Sequence, residues 1–134
     1  MNKILVLDDS PLRLNVFRQH FESQEIIVIT VSTAQEAINA LTSQEFDLIC
    51  LDHDLGGKPP MYYGENCDPS HANTGSEVAR WMAQHPKPYK VILHSRNPIG
   101  INSMRTILET IDGIECHDSP FDRLTANWGF GTAW

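Results

Sequence analysis

The sequence predicts an α/β domain of three layers, in which a parallel sheet of five strands is covered on both faces by helices. Three observations predict it. Short apolar runs alternate with segments whose apolar residues recur at helical spacing. Residues that start or stop helices stand between them. The apolar runs also break abruptly into charged clusters, as expected of buried parallel strands that deliver polar side chains to a crevice at their carboxyl ends.

The elements follow in order. Lys3 to Leu7 is an apolar run that stops at Asp8-Asp9. Ser10-Pro11 then supplies an N-cap and a proline at the first helical position, and Leu14, Phe17 and Phe21 recur at helical spacing. Ile26 to Val31 is a second β-rich run. Thr33-Ala34-Gln35-Glu36 is a capping box opening a helix with Ala37, Ile38 and Leu41 on its inner face. The third run, Phe46 to Leu51, breaks into Asp52-His53-Asp54-Leu55. Gly56 to Asn73 has neither period and reads as a long loop after strand 3, carrying Tyr62, Tyr63, Cys67 and His71. Thr74-Gly75-Ser76-Glu77 is a second capping box, and Val78, Trp81 and Met82 face the core until Pro86 ends the helix. Lys90 to Leu93 runs into His94-Ser95-Arg96-Asn97. Asn97-Pro98 caps a helix with the stripe Met104, Ile107, Leu108 and Ile111, which Gly113 stops. A short last strand, about Ile114 to Cys116, leads to His117-Asp118-Ser119-Pro120. From Asp122 to Trp134 the two glycines leave room only for a short helix.

The 134 residues are expected to form one domain, 1–134, with a globular composition of 41% apolar and 20% charged residues. A net charge of -7 argues against an extended nucleic-acid surface but leaves room for an enzyme that grips only the end of a strand. Cys50, Cys67 and Cys116 form no disulfide framework, and Cys50 reads as a small core residue. The run after Met1-Asn2-Lys3 is too short for a signal peptide or a membrane span, so a cytoplasmic protein is expected.

In the flavodoxin-like order 2-1-3-4-5, the first and third strands are neighbours, and Asp8, Asp9, Asp52 and Asp54 converge on one edge with no lysine nearby. Such acids repel unless a cation offsets them, and Mg²⁺, which takes a few carboxylates and keeps several waters, is the natural counter-charge. Imidazole at His53 leaves Mn²⁺ open as well. His94, then His53, with His71 and His117 behind them, are candidates for a general acid. Arg96 and Asn97 are candidates for holding a phosphate, Arg96 through its planar fork. Tyr62 and Tyr63 offer stacking faces for a base.

Ile4-Leu5-Val6-Leu7-Asp8-Asp9-Ser10, Phe46 to Asp52, Val91-Ile92-Leu93-His94-Ser95 and Ser119-Pro120-Phe121 together resemble the receiver domain of bacterial response regulators. The resemblance covers nearly the whole chain. It implies Mg²⁺ held by Asp8 or Asp9 with Asp52, a phosphoryl group accepted by Asp52, and a hydroxyl at Ser95. The chain departs from that family at Ser119, where receivers carry a lysine, at His53 and Asp54, and in its long loop. Leu51-Asp52-His53-Asp54-Leu55 with His94-Ser95-Arg96-Asn97-Pro98 is more similar to the divergent cyclic-phosphate-processing receiver-like domains. That likeness implies a metal-dependent phosphoesterase acting on 2′,3′-cyclic phosphates of nucleotides or an RNA terminus. The expected catalytic residues are Asp52, His94, His53 and Ser95, the metal ligands Asp8, Asp9, Asp52 and Asp54, and the phosphate contacts Arg96, Asn97, Ser119 and His71. Two alternatives stand beside it. One is a phosphorylatable signalling receiver, disfavoured by Ser119; the other is a pseudo-receiver that binds a protein partner, disfavoured by the retained acids.

Overall fold

Apolar runs of four or five residues in this chain pair side by side into a sheet whose two faces are both buried. The computed structural model describes residues 3–55 and 73–119. Within them run β1 (Lys3–Leu7), α1 (Pro11–Glu22), β2 (Ile27–Val31), α2 (Ala34–Ser43), β3 (Leu48–Leu51), α3 (Gly75–Gln84), β4 (Lys90–Leu93), α4 (Pro98–Leu108) and β5 (Glu115–Asp118). The five strands are all parallel in the order β2-β1-β3-β4-β5, the flavodoxin-like arrangement.

Side chains alternate across a strand, so each apolar run feeds both faces. Leu5, Leu7, Ile49, Leu51, Val91 and Leu93 meet the apolar stripes of α2, α3 and α4. Ile4, Val6, Leu48, Cys50 and Ile92 meet Phe17 and Phe21 of α1 on the other face. Helices on both faces make the three layers.

The helix starts differ in detail from the sequence signals. Ser10 caps α1, its side chain accepting from the Arg13 N–H, with Pro11 at the first position. At α2, Thr33 Oγ1 accepts from the Glu36 N–H at 3.1 Å, but the Glu36 carboxylate takes its return bond from the Ser32 N–H. The box therefore closes one residue upstream. Ile38 is only half-buried, and the inner face is Ala34, Ala37, Ala40 and Leu41. Thr74 makes no side-chain cap on α3, contrary to the capping box read there; its backbone is held in an antiparallel bridge to Asp54, and Glu77 pairs with Arg80. Trp81 is half-buried and stacks on His85.

The chain from α4 to β5 departs furthest. α4 ends at Leu108, with Ile111 buried in the turn beyond it, and Gly113 takes its positive φ of 78° in that turn rather than at the helix end. β5 starts one residue and ends two residues later than the apolar run suggests, and includes His117 and Asp118. An edge strand pairs on one side only, so register against β4 places it, with Leu93 opposite Asp118, and hydrophobicity does not.

The long loop read from Gly56 to Asn73 falls outside the described residues except at Asn73, as do the Tyr62-Tyr63 pair, Cys67, His71 and the segment from Pro120 to Trp134. The two flanks of that loop are fastened together. Asn73 donates to the Leu55 carbonyl at 2.9 Å and accepts from the Ala34 N–H at 2.7 Å, while Asp54 bridges to Thr74. Residues 55 and 73 are thus anchored to the start of α2 beside the carboxyl edge of the sheet. No helix among the described residues is long and apolar enough to cross a membrane.

Candidate functional site

The first residue past each of β1, β3, β4 and β5 continues the ladder of its neighbour. Asp8 N–H donates to the Val31 carbonyl, Asp52 to Leu7, His94 to Leu51 and Ser119 to Leu93, at 3.1, 3.1, 3.0 and 2.9 Å. These backbone bonds fix one row of functional residues across the carboxyl edge. Gly75 lets α3 come down onto this row: a Cβ there would lie 2.3 Å from the Asp52 carbonyl oxygen. Gly100 does the same for α4 over His53, where a Cβ would lie 2.4 Å from the imidazole Cγ.

Asp8 is fully buried, and each of its oxygens has two partners. Oδ1 accepts from the Ser10 N–H at 2.8 Å and from Arg13 Nη2 at 2.9 Å. Oδ2 meets Arg13 Nε at 2.8 Å and His94 Nε2 at 3.2 Å. Burial works to raise its pKa, but the bonds from His94, Arg13 and Ser10 outweigh it and hold the carboxyl far below the usual carboxylate range. Asp52 goes the other way. Burial pushes it up to about 6, with the neighbouring Asp8 and Asp9 adding to the rise and His94 and Arg13 opposing it.

Arg13 is the residue that sequence reasoning missed. Among the described residues the site has no lysine, but this guanidinium grips Asp8 in a fork and lies 3.4 Å from Asp9 Oδ1 and 3.6 Å from Asp52 Oδ2. The signal was available: an arginine four residues after Asp9, in the opening turn of a helix whose side chains lean back toward its N-terminus, reaches the acids before it.

A cavity of about 660 Å³ opens above the row. Asp9, Asp52, Asp54, His94, Ser95, Arg96 and Asn97 from the expected set line it, together with Arg13. Within it the roles divide. Asp54 is exposed and turned toward His53 Nδ1 at 2.9 Å and Asn97 Nδ2 at 3.2 Å. Asn97 caps α4, its Oδ1 accepting from the Ile99 and Gly100 N–H groups at 3.1 Å. Ser95 is buried and its Oγ accepts from the Asn97 N–H at 3.0 Å, which leaves the hydroxyl proton for another acceptor. Arg96 is exposed at the rim. Ser119 ends the row beside β4 without lining the cavity, and His117 lies back in β5, exposed.

Asp8, Asp52 and His94 each present one ligand atom, all within 4.8 Å of one another. His94 is 2% exposed, its ring tilted against Phe17 with centroids 5.0 Å apart, and its Nδ1 has no hydrogen-bond partner among the described residues. An orphaned buried nitrogen costs about 1–3 kcal/mol, so the imidazole is under-satisfied as it stands. Two carboxylates and an imidazole form a donor set that fits a divalent cation once the Arg13 fork moves aside. The sequence put both His53 and His94 at this edge and offered His53 as the imidazole for a metal, whereas the tertiary structure gives that place to His94.

A family model described as "Cyclic-phosphate processing Receiver domain" matches residues 3–110. Solved structures with the same fold include the response regulator TrrA of Thermotoga maritima in complex with Mg²⁺ and BeF (TM-score 0.64, 22% identity, 91% of this chain and 90% of that one). A CheY-like receiver domain of Methanospirillum hungatei has a TM-score of 0.65 at 17% identity, covering 90% of this chain and 82% of that one. Another from Methylobacillus flagellatus has a TM-score of 0.64 at 14% identity, covering 95% and 93%. No curated protein sequence matches this chain.

Proposed function

Because this chain belongs to the cyclic-phosphate processing receiver domains, we propose that its acidic cavity hydrolyses 2′,3′-cyclic phosphates of nucleotides or of an RNA terminus, with the aid of a divalent metal. The observation that carries this reading is the row Asp8, Asp52 and His94 beneath an open, mixed-charge cavity. Opening the ring breaks the bond from phosphorus to one sugar oxygen, joins the oxygen of water to phosphorus, and returns a proton to the departing oxygen.

The chain's own groups suit those needs. Arg96 and the Ser95 hydroxyl at the cavity wall suit the phosphoryl oxygens of a substrate. Asp52, which burial pushes up to about 6 in the metal-free protein, is the candidate nucleophile or the ligand that holds the metal. His94, beside Asp8, is the candidate acid where it does not hold the metal, and His53 with Asp54 at the mouth is the proton carrier where it does. Asp8, Asp52 and His94 are the candidate ligands, with Asp9 and Asp54 at the rim, and His94 favours Mn²⁺ over Mg²⁺. Bound there, the metal supplies charge stabilisation to the phosphoryl oxygens. His71 and Ser119 are proposed as further phosphate contacts.

Incubating the protein with a panel of nucleoside and oligoribonucleotide 2′,3′-cyclic phosphates and Mg²⁺ or Mn²⁺, followed by phosphorus NMR, tests the reading. The expected product is a ring-opened phosphomonoester. Cyclic phosphates left intact under every metal would overturn it.

A second reading, a phosphoacceptor receiver that passes its state to a protein partner, is favoured by Asp52 and Ser95 standing at the ends of adjacent strands. The TrrA structure is a complex with Mg²⁺ and BeF, the kind of ligand set this reading needs. No lysine lines the described cavity to clamp an acyl phosphate, which weighs against it. Intact-mass analysis after exposure to a small phosphodonor and Mg²⁺ should show no lasting phosphate on Asp52.

A further inference from the structure

We propose that Arg13 is the resident counter-ion of the acidic cavity, that a divalent metal binds by displacing it, and that this one side chain therefore sets the metal affinity. The proposal rests on the metal reading of the cavity given above and is independent of the substrate.

The partners of Asp8 carry the argument. Its two oxygens hold four donors: Ser10 N–H and Arg13 Nη2 on one, Arg13 Nε and His94 Nε2 on the other. A carboxylate has about four lone-pair positions, so Asp8 has none to give a cation until a partner leaves. The Ser10 bond is fixed by the backbone turn into α1. His94 is buried and packed on Phe17, and turning its nitrogen to the metal frees one position on Oδ2 only, with the Arg13 fork still on both oxygens. Arg13 is held by neither constraint: its side chain is 39% exposed, and it stands at the wall of a cavity with room for it.

Charge points the same way. The guanidinium lies within 3.6 Å of three carboxylates, those of Asp8, Asp9 and Asp52, and supplies the positive charge that a metal would otherwise bring. Two Arg–carboxylate bonds in a fork are strong, and a metal has to replace them as well as shed water. Removing Arg13 leaves the same carboxylates with one less cation and the same donor atoms. Metal should then bind more tightly.

The test is Mn²⁺ affinity, read from the loss of the free-ion electron paramagnetic resonance signal, for wild type, Arg13→Gln and Arg13→Lys. Arg13→Gln should lower the Mn²⁺ dissociation constant by about tenfold or more, the equivalent of one charge-assisted bond. Arg13→Lys, which keeps the charge and loses the fork, should fall between. In the wild type, the Arg13 Nε–H resonance should lose its protection from solvent exchange as Mg²⁺ saturates. Equal or weaker Mn²⁺ binding by a natively folded Arg13→Gln overturns the proposal, and so does an Nε–H that stays protected at saturation. If Arg13→Gln does not fold, Arg13→Lys and the wild-type resonance decide. Failure of wild type and variant alike to bind Mn²⁺ overturns the metal reading and this proposal with it, whereas equal binding by both overturns this proposal alone.

Discussion

Asp8 and Asp52 face each other across neighbouring strands, yet the fold treats them oppositely, and this has consequences that single substitutions expose. Asp8 keeps its charge because the Arg13 fork, His94 and Ser10 all favour the ionised form. Its depressed pKa gives stability that is present above about pH 4 and is lost as pH falls below that, toward the folded-state value. Asp52, raised from 3.8 to about 6, does the reverse: the folded protein binds its proton more tightly, so stability falls as pH rises between those values. At about 1.4 kcal/mol per unit, ionised Asp52 costs on the order of 3 kcal/mol in the metal-free protein. Asp52→Asn should therefore raise the melting temperature in chelator above about pH 7, with the gain shrinking toward about pH 4. Thermal denaturation across that range checks it; a gain that does not vary with pH would contradict the buried-charge account. The same variant should lose cyclic-phosphate opening. His94→Gln should also lose it, by about 10²–10⁴-fold if the imidazole is the acid. Gln is the better test than Ala because His94 is fully packed.

At the scale of elements, two glycines and one cap decide how near the helices come to the row. Gly75→Ala drives a methyl into the Asp52 carbonyl, a backbone atom that cannot step aside, and overpacking of this kind costs typically about 1–3 kcal/mol. Gly100→Ala meets the root of the His53 side chain and should dislodge its bond to Asp54. The first should lower the denaturation midpoint and disturb metal binding together. The second should shift the His53 ring resonances with a smaller effect on the metal, since His53 is outside the cluster of Asp8, Asp52 and His94. Asn97→Ala removes the cap of α4, worth about 0.5–2 kcal/mol, and frees Asp54 from one of its two partners. Chemical denaturation of the three variants orders these costs.

For the whole molecule, a ligand that binds only the folded state stabilises it by mass action, about 2.7 kcal/mol at a hundredfold excess over its dissociation constant. Metal at the carboxyl edge should then raise the melting temperature with metal concentration. Loss of that dependence in Asp52→Asn would show that the binding is at this edge. β3 is the central strand of the sheet, with β1 and β4 beside it, so the groups that would hold the metal follow its three inner strands. His94 comes from β4, and Arg13 reaches in from the single described helix on the other face.

The sequence by itself determined the strand and helix alternation and the strand ends that carry Asp8, Asp52, His94 and Ser95, because apolar period is a local property; the 2-1-3-4-5 order that gathers them on one edge was expected from the likeness to receivers, and the structure has it. Its family was legible in the same motifs. The tertiary structure alone decided which groups touch. Asp8 takes its fork from Arg13 and its imidazole from His94, far along the chain, while Asp54 turns to His53 and Asn97. Only packing decided that Thr74 bridges to Asp54 instead of capping α3. β5 could not be located from hydrophobicity, because an exposed edge strand is placed by its register against β4. Ionisation state was beyond the sequence too: the pKa values of two neighbouring aspartates part according to which of them the surrounding donors reach, and that is fixed only when β1, α1 and β4 close on one another.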